Sequence, residues 1–114
     1  MHLTVHTYKT ESGKDLIRTY VDTLPINESV DGTSVIEALE DGRLDELKIN
    51  HWQGKIYEIY FYRHNRIFYV AIEDTDIYLL HACKKQKNKT EKKDAQIIIK
   101  RAKELGKQLS KKLI

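Results

Sequence analysis

Cysteine is almost missing from this chain, and that shortage excludes more than any motif includes. Cys83 stands alone, so an intramolecular disulfide and a multi-cysteine zinc site are both ruled out, and a reducing compartment suits the chain. Proline is equally scarce: Pro25 and five glycines in 114 residues exclude a collagen-like or Pro/Gly-rich disordered chain. No eighteen apolar residues run together, and Met1 to Thr10 has no positively charged start followed by an apolar stretch. The expectation is therefore a cytoplasmic protein, neither membrane-spanning nor exported by that route. Several catalytic signatures are also missing, including a phosphate-binding Gly-rich loop, His-Glu-x-x-His and Gly-x-Ser-x-Gly.

What is present suits one compact core. The chain is 40% hydrophobic and 32% charged, at a length ordinary for one domain, so a single domain over residues 1–114 is expected. Its net charge of +3 is unevenly distributed. Residues 1–83 hold 8 Lys/Arg against 14 Asp/Glu, a net of −6, whereas residues 84–114 hold 12 against 3, a net of +9. A basic end of this kind concentrates positive potential where a polyanion can reach it, although a solvated lysine-rich helix with no ligand has the same composition.

Periodicity predicts an α+β order. Leu3, Val5 and Thr7 alternate through an opening strand over His2 to Lys9, and Ser12-Gly13 turns the chain. Leu16, Ile17, Tyr20, Val21 and Leu24 follow helical spacing from Lys14 to Leu24, where Pro25 closes the segment. A shorter second helix is expected from about Ser34 to Asp41, capped by Thr33 or Ser34 and ended by Gly42. Three apolar and aromatic runs, Ile56 to Tyr62, Arg66 to Glu73 and Asp76 to Cys83, are joined by short polar segments and predict a three-stranded antiparallel meander. The final segment, Glu91 to Leu113, places Ala95, Ile98, Ala102, Leu105, Leu109 and Leu113 on one stripe of a basic amphipathic helix. Gly106 should weaken its last two turns.

This order of elements resembles the RelE/ParE toxin superfamily, and within it the phage-associated HigB-like family. The resemblance runs from Lys14 to about Ala102 and rests on Ile56-Tyr57-Glu58-Ile59-Tyr60, on Arg66-Ile67-Phe68-Tyr69, and on the basic segment Lys84 to Thr90 after Leu79-Leu80-His81-Ala82-Cys83. Three positions depart from the pattern: Tyr60 replaces a usual arginine, Cys83 a usual aromatic residue, and Glu91 a usual proline. The resemblance implies a RelE-like fold and the toxin of a type II toxin-antitoxin system. Such a toxin enters the ribosome, cuts messenger RNA without metal or cofactor, and is held inactive by a cognate helix-turn-helix antitoxin.

Cleavage by attack of a ribose 2′-OH needs a base, a proton donor for the leaving 5′ oxygen, and cations for the phosphorane charge. The residues offered for those roles are Arg66, Lys85, Lys89, His81 and Tyr69, with Lys84, Lys87, Tyr60 and Arg63 along the RNA. Arginine suits a two-pronged grip on phosphate, histidine can move a proton near neutral pH, and tyrosine can stack on a base. Each has a structural alternative. Tyrosines favour half-buried strands, alternation after Ile77 and Leu79 places His81 on a core face, and Glu58 pairs across the sheet with Arg66 or a lysine. Cys83 at a strand end and Trp52 near the start of the sheet fit structural positions. Two other functions stay open: a superfamily toxin acting on another target such as gyrase, and a non-catalytic nucleic-acid-binding regulatory module.

Overall fold

The computed structural model describes residues 2–85 and 90–114. They form a five-stranded mixed sheet with three α-helices: β1 (Thr4–His6), α1 (Leu16–Asp22), α2 (Ile26–Glu40), β2 (Lys48–Gln53), β3 (Ile56–Phe61), β4 (Asn65–Ile72), β5 (Asp76–Lys84) and α3 (Lys92–Leu109). The strand order is β1-β5-β4-β3-β2, with β1 parallel to β5 and every other pair antiparallel. No helix among the described residues is long and apolar enough to cross a membrane.

Side chains alternate between the two faces of a strand, and here both faces are apolar because helices cover both. On one face α1 and α2 bring Ile17, Val21, Val35, Ile36 and Leu39 onto Ile59, Phe61, Ile67, Tyr69, Ile77 and Leu79. On the other, Ile98 and Ala102 of α3 pack with Ile56, Phe68, Val70, Leu80 and Cys83. Burial at roughly 25 cal/mol per Å² of apolar surface makes these two layers the main source of stability.

Local chemistry explains the helix ends. Asp15 caps α1, its Oδ1 accepting from the Arg18 amide at 2.9 Å. Gly42, at φ 72°, ends α2 as expected, with the Arg43 amide reaching back to the Ala38 carbonyl at 2.8 Å. The start of α2 differs from expectation, because the helix begins at Ile26 and not near Ser34. Pro25 precedes its first turn instead of only ending α1. Gly32 lies buried inside the helix, where a Cβ would come within 2.9 Å of the Phe61 ring. The glycine that broke the sequence pattern is thus a close-packing position.

The meander has four strands, not three. β2 escaped detection because its pairing shifts between His51 and Gln53, so Ile49 packs towards α1 and α2 while Trp52 packs towards α3. A bulge of this kind destroys strict alternation. The third correction is the end of α3: the helix passes through Gly106 but stops at Leu109 and not at Leu113, and the Lys111 carbonyl lies 2.6 Å from where a Gly106 Cβ would stand. The tail then folds back, burying Leu113 from outside the helix and donating the Lys111 amide to the Gly106 carbonyl at 2.9 Å.

Candidate functional site

At one end of the sheet, beyond the last apolar row under α3, the same face becomes polar. Tyr60 on β3 pairs in register with Arg66 on β4, and Arg66 pairs with Cys83 on β5. Glu58, two residues before Tyr60 on β3, and Lys85, just past the end of β5 and two residues after Cys83, lie on this face by the alternation of the pleat. The Arg66 guanidinium sits 3.6 Å above the centre of the Tyr60 ring, a close cation–π contact. The Tyr60 hydroxyl donates to Glu58 Oε1 at 2.9 Å, and Lys85 Nζ stands 3.6 Å from Glu58 Oε2. Lys85 is held in place by its own amide, which donates to the His64 carbonyl at 2.6 Å.

These groups are covered: Arg66 is 8% exposed, and Glu58 and Lys85 are 5% exposed. Two of their atoms, Glu58 Oε2 and Arg66 Nε, are buried with no hydrogen-bond partner among the described residues. Leaving such a group unmatched costs about 1–3 kcal/mol, so this arrangement is not optimised for stability. Glu58 does pair across the sheet as expected, with Lys85.

His81 also faces α3, which corrects the assignment by alternation. The β4–β5 register pairs Tyr69 with Leu79 and Phe68 with His81, skipping Leu80. That bulge turns His81 away from the face of Ile77 and Leu79 and towards Asp94 in the first turn of α3, whose Oδ1 is 2.8 Å from Nε2. Burial holds the His81 pKa below the ordinary histidine value, against the pull of Asp94. Arg101 approaches Nδ1 at 3.4 Å and donates to the Leu80 carbonyl at 2.8 Å. Burial also pushes the Cys83 thiol up to about 12, which leaves it a protonated and inert nucleophile at neutral pH. One donor atom each from His81, Cys83 and Asp94 lies within 4.8 Å of the others, the group of side chains here that could hold a metal ion.

The remaining predicted residues do not join the cluster. Tyr69 faces α1 and α2, is 4% exposed, and stacks on Tyr57 at 5.8 Å. Lys84 points the same way and pairs with Glu28 of α2. Arg63 occupies the β3–β4 turn at φ 68°, exposed, 5.9 Å from the centre of the Tyr62 ring. Lys87 and Lys89 lie outside the described residues. Neither Asp94 nor Arg101 stands out in the sequence. An acid in the first turn of a predicted helix is ordinary helix chemistry, and only the contact with His81 of β5 distinguishes Asp94.

Residues 19–103 match the family described as phage-derived protein Gp49-like (DUF891). The chain belongs to this family. The family is part of the toxin-antitoxin-associated RelE/ParE-like toxin group, and membership implies an antitoxin partner. No curated protein matches the chain.

Proposed function

We propose that this Gp49-like toxin is a metal-independent endoribonuclease of the HigB type, which cuts messenger RNA on the ribosome at the Glu58–Tyr60–Arg66–Lys85 cluster. The observation that carries the reading is the gathering of two cations, a carboxylate and a phenol on one sheet face, at the expense of hydrogen bonding. Membership of a toxin family supplies the context. Arg66 and Lys85 hold the scissile phosphate and stabilise charge on the phosphorane. Glu58, released from Lys85 as phosphate takes its place, accepts the 2′-OH proton. The 2′ oxygen attacks phosphorus, the bond to the 5′ oxygen breaks, and that oxygen takes a proton from the Tyr60 hydroxyl. The products are a 2′,3′-cyclic phosphate and a 5′-hydroxyl end. Lys84 and Tyr69 face away and play no part. A RelE-like fold, cytoplasmic action and a helix-turn-helix antitoxin belong to the same reading.

The burial of Arg66 and Lys85 favours a second reading, in which the chain binds without cutting. Lys92, Lys93, Lys100, Lys103 and Lys107 are exposed on α3 and give it phosphate affinity without the cluster. Induced expression in a bacterium, with growth followed and messenger RNA ends mapped, separates the two. Arrest with new 5′-hydroxyl ends in translated transcripts, lost in a folded Arg66→Gln variant, supports cleavage. Arrest without new ends favours another target, such as gyrase. Normal growth with salt-sensitive nucleic-acid binding favours a regulatory module.

A further inference from the structure

Beyond the proposed RNA site, a second constellation lies on the same face. His81 and Cys83 on β5 and Asp94 on α3 present an imidazole, a thiol and a carboxylate whose donor atoms all lie within 4.8 Å of one another. They meet only because the register skips Leu80: without that bulge His81 would face α1 and α2. The His81 and Asp94 side chains are 13% and 18% exposed, and Cys83 is 8% exposed, so the donors are shielded while a path from solvent remains. We propose that His81, Cys83 and Asp94 form a binding site for a borderline divalent cation of the Zn²⁺ type.

The donor set selects the ion. A thiolate and an imidazole favour Zn²⁺ over Mg²⁺ or Ca²⁺, which prefer all-oxygen cages. Three protein donors leave one tetrahedral position for water. Charge also balances, because thiolate and carboxylate together offset the two positive charges of the ion while the imidazole stays neutral. Binding releases the thiol proton to solvent and breaks no covalent bond. His81 ligates through Nε2, now turned to Asp94, with its proton on Nδ1. The 3.4 Å approach of Arg101 to Nδ1 then gives way, while Arg101 keeps its 2.8 Å bond to the Leu80 carbonyl. A catalytic Cys-His-Asp relay is not what this geometry provides, since both His81 nitrogens are turned to other groups, Nε2 to Asp94 and Nδ1 to Arg101, and neither is bonded to the Cys83 thiol. The ion would instead clamp the end of β5 to the first turn of α3, beside Lys85.

The test uses the untagged full chain, freed of metal by a chelator and titrated with Co²⁺ alone. One equivalent should bind with a thiolate-to-cobalt charge-transfer band, and Zn²⁺ should displace it. Cys83→Ser should abolish the band. Both Cys83→Ser and Asp94→Asn should weaken Zn²⁺ binding by at least the roughly 10–100-fold that loss of an outer-sphere partner costs. Circular dichroism of the metal-free variants checks the fold, and if Cys83→Ser fails to fold, Asp94→Asn decides. A folded wild-type chain that gives no thiolate band would overturn the site. So would variants that bind as wild type does, as binding at His2–Asp41 or His6–Asp76 would produce. Because RNA takes no part in these measurements, the nuclease reading can fail without touching this one.

Discussion

Asn65 and Arg66 are neighbours on β4 and project to opposite faces of the sheet, and the two polar clusters they enter are built differently. Towards α1 and α2, Asn65 accepts from the Tyr20 hydroxyl at 2.6 Å and donates to Glu28 Oε1 at 2.8 Å, and Glu28 also takes the Lys84 ammonium. Lys84 and then Asn65 hold the Glu28 carboxyl below the usual carboxylate range. Towards α3, Arg66 lies on an aromatic face with Nε unmatched, and Glu58 keeps one oxygen without a hydrogen bond. A satisfied network rigidifies a fold. An unsatisfied one, held by the same strands, is where structural requirements have yielded to some other demand.

The contrast can be broken most forcefully at Lys85. Lys85→Met leaves the Glu58 carboxylate buried without its cation and should cost about 3–5 kcal/mol, whereas adding Glu58→Gln should recover most of that loss. Urea unfolding of the single and double variants measures both. A single-variant cost below about 1 kcal/mol, in the range of an exposed ion pair, would show that the pair is not held as a buried unit.

Tyr69 sharpens the comparison from the dry side. Burial raises its phenol from 10.0 to about 12, so the unfolded chain loses that proton first as pH rises. The linked stability is fully present below pH 10 and is lost between pH 10 and about 12. At about 1.4 kcal/mol per pKa unit it is on the order of 3 kcal/mol at most. Tyr69→Phe should therefore make the alkaline fall of the urea midpoint shallower and leave growth arrest untouched. Loss of arrest in a folded variant would return Tyr69 to the site.

The smallest effect belongs to Gly32. A methyl there meets the Phe61 ring at 2.9 Å and Val21 at 3.0 Å. Overpacking costs typically ~1–3 kcal/mol, and alanine's better helix propensity offsets up to about 1 of it, so Gly32→Ala should destabilise by roughly 1 kcal/mol. A stabilised variant would mean that α2 has room to shift on this face.

Much of the fold was legible in the chain. β3, β4, β5 and α3 appear within a few residues of their expected bounds because long aromatic runs and a clear apolar stripe carry strong period-two and helical signals. β2 and the first turns of α2 were not, since a bulge broke the alternation of one and exposed Ile26 and Val30 with a buried Gly32 blurred the stripe of the other. Within the site, Arg66, Lys85 and Tyr60 were nameable from residue type. Asp94 was not, because its partner lies on another element.

Composition, charge asymmetry and periodicity by themselves determined a small α+β chain with a basic C-terminal helix, for these depend on residue type and near-neighbour spacing alone. The assignment of each side chain to a face was decided only in three dimensions. One skipped residue, Leu80, carries His81 from the face of α1 to that of α3, and the pleat separates Lys84 from Lys85. A period-two backbone converts a shift of one residue into the opposite side of the sheet, so cross-strand register, set by packing between elements distant in sequence, chose which charges meet.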